Sequence, residues 1–462
     1  MWNFASLDAI DANRPHSSQS KAPLRAMDVD PFAKWTFTNS DKYSEVPRSY
    51  LADLKSNMTR FVLEAHPPRP APDQAYEDYR TAGTQSNFRQ AFLSGAIDQT
   101  TMCDSSEVES WADFLAVHMD PGATTALSEW KYARVDSESN FIFDSFVAGE
   151  VAAKGAITEG VEDFIRLQAD KSGTPNAFQF IAQCSSAWGG AVSEVVSEYV
   201  VDEFPKTPVF LYDIGQPSGP VNAIAQAATW GTMAHLRQVK VVPFTTGNHG
   251  EDVVPDGSLY HTSAMVGYTL KQIVSEMAVV GTDPFSKIPF SFLRPLGMVG
   301  LPKTALDSTG LVTGKADKWT DFFPSCFGTV GSKVHSVVGR ISVLPEDISD
   351  DFRRYLNLKE AIASNRFAEV NLRRTDSVPI SFPAFFRAPP RRGVPSDKLV
   401  LSQTTTGTGA LCLDSGMQEA LLDVKTVLDR SRTLVDLHGM EADHVDDLRA
   451  KLAELAATLK KM

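Results

Sequence analysis

No apolar run in the chain approaches the roughly 20 residues that a membrane-spanning helix needs. No Cys-x-x-Cys pair occurs, and the four cysteines, Cys103, Cys184, Cys326 and Cys412, lie far apart in 462 residues. Together these argue against a zinc site built from cysteine pairs and for reduced thiols in a reducing compartment. The nine histidines form no HExxH or HxH motif, and no GxSxG elbow is present, so no metal or nucleophile site is read from the sequence. Positive charge is also in short supply. Lys and Arg number 44 against 57 Asp and Glu, a formal net charge of -13, which argues against a basic nucleic-acid-binding face. Met1–Ser20 carries Asp8, Asp11 and Arg14 and no apolar core, so it reads neither as a signal peptide nor as a transit peptide.

What is present is ample core material. Apolar residues make up 43% of the chain, and this length predicts two or three domains at ~100–200 residues each. Pro- and Gly-rich stretches at 66–74, 215–220, 245–258 and 387–395 read as loops. Ser49–Leu54, Phe178–Cys184 and Pro208–Ile214 read as strands. Between the last two, Val192, Val195, Val196, Tyr199 and Val200 recur at helical spacing, with Glu194, Ser197, Glu198 and Asp202 opposite. Strand, Gly-bearing turn, helix and strand make a βαβ unit, whose crossover implies a parallel sheet; Ser49–Leu54 is expected to lie in that same sheet, with Asp53 and Cys184 facing one crevice. Leu259–Val280 reads as a long helix. Thr404–Gly409 (TTTGTG) lacks the Lys-Ser/Thr of a phosphate loop and reads as a hairpin turn. Leu421, Val424 and Leu428, then Val445, Leu448, Leu452, Leu455 and Leu459, predict two C-terminal helices separated by Gly439. That seam is short for a coiled coil and is expected to pack on the body of the chain, on its second domain; an intermolecular coiled coil is the alternative.

The turn after the first strand of a βαβ unit is where helix N–H groups and the helix dipole can receive an anion. Here it is Ser185-Ser186-Ala187-Trp188-Gly189-Gly190-Ala191, preceded by Phe178-Gln179 and followed by a helix ending Asp202-Glu203-Phe204-Pro205. From Phe178 to Ile214 this frame resembles tubulin, in which a Phe-Gln strand leads into the loop GGGTGSG. Val46-Pro47-Arg48-Ser49-Tyr50-Leu51-Ala52-Asp53-Leu54-Lys55 is similar to the tubulin segment VPRAVFVDLE. Ala148-Gly149, Lys154-Gly155 and Thr158-Glu159-Gly160 echo the third tubulin loop. Three features resemble the Misato family more closely: Lys55 after Asp53-Leu54, the run Trp111, Phe114, Leu115, His118 and Pro121, and the opening Trp2-Asn3. The resemblance covers about half the chain, and residues beyond about 285 are placed by order alone. If the Trp2-Asn3 match holds, the family's first strand and first phosphate loop would precede Met1, and truncation is the expected reason.

The resemblance implies an α/β, tubulin/FtsZ-like fold. It divides into a degenerate nucleotide-binding domain (1–250), a central helix and connection (251–284), a second α+β domain (285–412) and C-terminal helices (413–462). The implied site comprises Ser185, Ser186, Ala187, Trp188, Gly189 and Gly190, with Asp53, Lys55, Gly149 and Glu150. Glycines serve such a loop because backbone can approach phosphate without a Cβ in the way. Here side chains stand at three family glycines, and Trp188 replaces a threonine. Lys55 stands where the family has a metal-organising glutamate, and a lysine cannot ligate Mg²⁺. Glu150 would repel a γ-phosphate. No catalytic residue, no metal and at most weak GTP binding are therefore expected, with Trp188 packed into the turn. The family implies a non-catalytic scaffold or adaptor in mitochondrial distribution, morphology and inheritance. It would be cytoplasmic and peripheral on the mitochondrial surface, with protein partners such as tubulin or tubulin-folding machinery, no nucleic acid and no transmembrane segment. A GTP-binding switch or slow GTPase is the alternative.

Overall fold

The computed structural model describes residues 37–38, 46–55, 121–132, 141–172, 175–215, 219–244, 292–300, 320–321, 334–340, 376–377, 404–414, 416–430 and 438–461, with six helical positions between 263 and 274. These residues form a mixed arrangement of helices and strands with small parallel sheets, roughly α/β.

Strands β1 (Phe37–Thr38) and β2 (Val46–Pro47) make a short antiparallel pair. β3 (Leu51–Leu54) pairs in parallel with β4 (Thr124–Leu127), and β5 (Trp130–Lys131) with β6 (Phe141–Ile142). The central unit is a parallel sheet in the order β7 (Phe178–Ala182), β8 (Val209–Ile214), β9 (Val239–Phe244). In β8 the run from Val209 to Asp213 is buried, and in β9 every residue is. That continuous burial is what a parallel strand with both faces covered requires.

Helix α1 (Phe146–Ala152) runs through a π-helical turn, Ala153–Ile157, into α2 (Thr158–Ser172). Within that turn Gly155 leaves helical geometry (φ -109°, ψ -113°). α3 (Ala187–Glu194) likewise passes through a π-helical turn, Val195–Val200, into a last turn, Val201–Glu203. This is the expected βαβ crossover between β7 and β8. α4 (Pro220–Ala234) follows β8, with proline at the position where a missing N–H costs nothing. α1 and α3 cross backbone to backbone: a Cβ on Gly149 would run into the Ala187 carbonyl, and one on Gly190 into the Phe146 carbonyl.

An antiparallel sheet follows, built from β10 (Arg294–Gly300), β11 (Thr320–Asp321), β12 (Val334–Arg340), β13 (Asp376–Ser377) and β14 (Thr404–Asp414). Two helices complete the chain, α5 (Gly416–Arg430) and α6 (Ala442–Lys461). In the expected helix at 259–280, Ser263, Val266, Gly267, Leu270, Ile273 and Val274 are helical, and the apolar four are buried at one-turn spacing.

Three expectations are corrected. Ser49–Leu54 was to share a sheet with the strands at 178 and 208. β3 instead pairs with β4, and no described strand joins that pair to β7–β8–β9. Thr404–Gly409 is no hairpin turn; it opens the eleven-residue β14, which pairs with β10, β12 and β13. Its threonines are β-branched and favour extended chain, and that preference outweighs Gly407 and Gly409. The C-terminal seam does not choose the antiparallel half: α5 and α6 both pack on α4. Gly231 of α4 leaves room where the Leu448 side chain enters, and Val445, Leu448, Leu452, Ala456 and Leu459 are all buried.

Candidate functional site

The C-terminal ends of β7 and β8 meet the N-terminal ends of α3 and α4, the position at which open parallel sheets bind ligands. The connection is shorter than the expected seven-residue loop. The turn occupies Gln183 to Ser186, and Ala187 already begins α3. Ser186 is the reason: its extended backbone and hydroxyl make it an N-cap that accepts the Trp188 amide at 3.3 Å.

One buried carboxylate organises this turn. Asp213, at the end of β8, accepts the Cys184 amide on Oδ1 at 3.0 Å. Its Oδ2 accepts Gln226 Nε2 at 2.8 Å and Trp230 Nε1 at 2.9 Å. Burial pushes the Asp213 carboxyl above its ordinary range, and hydrogen bonds from Gln226, Cys184 and Trp230 draw it back. The Cys184 thiol, fully buried beside Asp213, is held well above the thiol range by burial and by that negative neighbour, so it is an inert thiol. Asn222 Nδ2 donates to the Ser185 carbonyl at 2.7 Å, and Thr229 Oγ1 to the Ala225 carbonyl at 2.9 Å. A Cβ on Gly189 would strike the Cys184 carbonyl and Thr229 Oγ1. Asn222, Gln226, Thr229 and Trp230 stand at one-turn spacing on the inner face of α4.

The expected site residues fall into two groups. Ser185 to Gly190 lie together with Gly149 and Glu150, because α1 packs across α3. Gly149 and Glu150 are inside a helix rather than on a loop, and Gly149 is covered by Ala187. Asp53 and Lys55 end a different strand pair, where Asp53 Oδ1 accepts the Leu54 amide at 2.7 Å. Trp188 is half-buried in the first turn of α3. Its ring meets Phe143 edge-on at 4.8 Å, and its Nε1 donates to the Tyr132 hydroxyl at 3.1 Å. Glu150 titrates unusually: burial and the Glu194 carboxylate push its pKa up to about 7, with Lys154 opposing and Glu198 adding to the rise.

These residues offer few free donors to a nucleotide phosphate. Of the six amides from Cys184 to Gly189, four already have acceptors in the chain. Cys184 donates to Asp213, Ser186 to the Gln183 carbonyl, Trp188 to Ser186 Oγ and Gly189 to the Ser186 carbonyl. That leaves the Ser185 and Ala187 amides and the Ser185 hydroxyl as the donors a phosphate would find there, beside the indole. Among the described residues no cluster of His, Cys, Asp or Glu is arranged to hold a metal ion, and no helix is long and apolar enough to cross a membrane.

Asp213, Asn222, Gln226, Thr229 and Trp230 are organising residues that carry no motif. The available signal was one acid closing an apolar strand, followed by polar residues at one-turn spacing in an alanine-rich helix. No family model matches this chain, and no curated protein matches it either.

Proposed function

We propose that this chain is a non-catalytic scaffold or adaptor of tubulin/FtsZ shape, related to the Misato family. In that role it acts in mitochondrial distribution, morphology and inheritance, as a cytoplasmic protein peripheral on mitochondria with a tubulin or spindle link. The observation that carries the non-catalytic part is the turn at 184–189, four of whose six amides are spent on the chain's own acceptors. Losing one preorganised donor aimed at developing charge costs about 2.7–4 kcal/mol of transition-state stabilisation, and here several are committed elsewhere. The βαβ crossover and the motifs around it support the fold part. That part requires β3–β4 and β7–β8–β9 to belong to one sheet, and no described strand joins them. A crystal structure that keeps the two apart would overturn it.

One observation favours a GTP-binding switch instead. Ser185 Oγ is buried at the N-terminus of α3 without a hydrogen-bond partner, and an oriented hydroxyl there is a donor that an anion can use. Isothermal titration of the full chain with GTP and Mg²⁺ separates the readings. The scaffold predicts no saturable heat at micromolar nucleotide. A micromolar or tighter dissociation constant, with phosphate release that rises with protein concentration, would establish the switch. The cellular part is tested by fractionation: the scaffold should sediment with mitochondria and be released by high salt or carbonate, and an exclusively soluble pool would overturn it.

A further inference from the structure

His438 lies in the turn that leads into α6, next to Gly439, whose positive φ of 70° lets the chain reverse. The imidazole is almost wholly buried and spans two elements far away in sequence. Its Nδ1 accepts the amide of Phe146, the first residue of α1, at 3.0 Å. Its Nε2 lies 2.9 Å from the Val221 carbonyl in the first turn of α4. Because Phe146 N–H is a donor, Nδ1 must be bare, and the ring hydrogen is therefore on Nε2, donating to Val221. The ring thus satisfies a helix-terminal amide that no residue within α1 reaches. Two other amides of that turn go to Ser145, Ala148 to its hydroxyl and Gly149 to its carbonyl.

We propose that His438 is a proton-operated latch: as a neutral ring it ties the C-terminal helices to the N-terminal ends of α1 and α4, and a proton taken from solvent on Nδ1 opens it. A protonated Nδ1 would point an N–H at the Phe146 N–H, so the bond to α1 is lost and a buried donor is left without an acceptor. Both helices it clamps carry the turn at 184–189, α1 through Gly149 and Gly190 and α4 through Asn222 and Gln226. Opening therefore loosens the ligand end of the sheet together with the C-terminal pair. The groups facing the ring agree with a neutral resting state. Burial lowers its pKa below the ordinary histidine range, against the Val221 carbonyl and the Asp144 carboxylate, which favour the proton. Among the described residues of α4, that carbonyl is the group that acts on it. The latch stands whether or not the chain binds nucleotide.

Hydrogen exchange of the full chain, corrected for its intrinsic pH dependence, tests the latch in peptides covering 146–152 and 442–461. A neutral ring in the closed form and an ordinary histidine in the open form predict about a tenfold rise in opening from about pH 7.5 to about pH 5.5. His438→Asn and His438→Gln keep an acceptor for Phe146 that does not titrate, so the rise due to His438 should be absent from their exchange, whatever slope Glu150 and His235 add to both proteins. A flat response in the wild type, or an equal rise in a folded variant, would overturn the latch. Nitrogen NMR of histidine-labelled wild-type protein needs no variant to fold. It should show Nδ1 bare and Nε2 protonated at neutral pH, and the opposite tautomer or a doubly protonated ring would also overturn it.

Discussion

The two faces of α4 are held by opposite chemistry. Its inner face reaches the end of the parallel sheet through Asn222, Gln226, Thr229 and Trp230, all engaged in hydrogen bonds. Its outer face carries α5 and α6 through apolar packing, with Leu448 seated over Gly231. The polar face fixes one conformation, because each buried donor needs its acceptor and loses more when left alone than it gains when paired. The apolar face supplies area and tolerates small shifts. A turn built in the first way commits most of its polar groups to the chain itself, which leaves few of them for a phosphate.

The largest effect should come from the centre of the polar face. Asp213→Ala removes the acceptor of the Cys184 amide, Gln226 and Trp230 at once. An orphaned buried donor costs about 1–3 kcal/mol, so the three together should destabilise by at least about 3 kcal/mol in urea denaturation. A loss below about 1 kcal/mol would mean that water enters and the network is not closed. On the apolar face, Leu452→Ala should cost about 2–5 kcal/mol, since that side chain is fully buried in the seam. Concentration-independent melting would place the loss within one chain, whereas melting that tracks protein concentration would revive the intermolecular coiled coil.

That contrast also explains what was readable from sequence. The seam of α5 and α6, the βαβ crossover and the helix around Val266 and Leu270 announce themselves by period, because burial of an apolar face repeats every turn or every second residue. The polar network has no period. Asp213 ends an apolar strand and His438 sits in a turn, and their partners are 13 to 292 residues away. Motif resemblance located the turn at Ser185, but not that Ser186 would cap α3 and shorten it. It took Gly149 for a loop glycine, whereas its role is to let α1 touch Ala187. The partner of the seam was not legible because a leucine stripe specifies an apolar surface, not which one; Gly231 decided it. The glycines of the Thr-Gly run that opens β14 likewise suggest a turn, whereas its β-branched threonines decide for strand.

A smaller effect separates the two faces by pH. Glu150 lies over α3, its pKa raised from 4.5 to about 7 by burial and then by Glu194. A raised carboxylate pKa means that the folded state prefers the proton. Its contribution is complete below the unfolded value and is lost as pH rises through about 7. Glu150→Gln should therefore raise stability at pH 7.5 by about 1 kcal/mol. That is well short of the full shift, because the carboxyl remains partly in water. The gain should vanish near pH 4. His438 acts with the opposite sign: its lowered pKa penalises folding as pH falls below the ordinary histidine range. These two slopes oppose each other over the same acidic range: Glu150→Gln should lose more stability than the wild type as pH falls, and a His438 variant should lose less.

The smallest effect tests whether the outer face of α4 is held by its leucines alone. Arg449 of α6 donates to the Leu428 carbonyl near the end of α5, and pairs with Asp446 at 2.6 Å and Asp429 at 3.3 Å. It is the one charged side chain among the described residues that bridges α5 and α6 by ion pair. Half-exposed ion pairs of this kind are worth about 0.2–1 kcal/mol and weaken with salt, while the bond to a helix-terminal carbonyl does not depend on ionic strength in the same way. Arg449→Ala should therefore cost about 1 kcal/mol at low salt and somewhat less in about 1 M NaCl. Lys425→Ala, which removes only a pair with Asp429 four residues along the same helix, should cost under about 0.5 kcal/mol. If Arg449→Ala instead cost as much as Leu452→Ala, the C-terminal pair would be fixed by a polar clasp like the one at Asp213, and the two faces of α4 would no longer differ in kind.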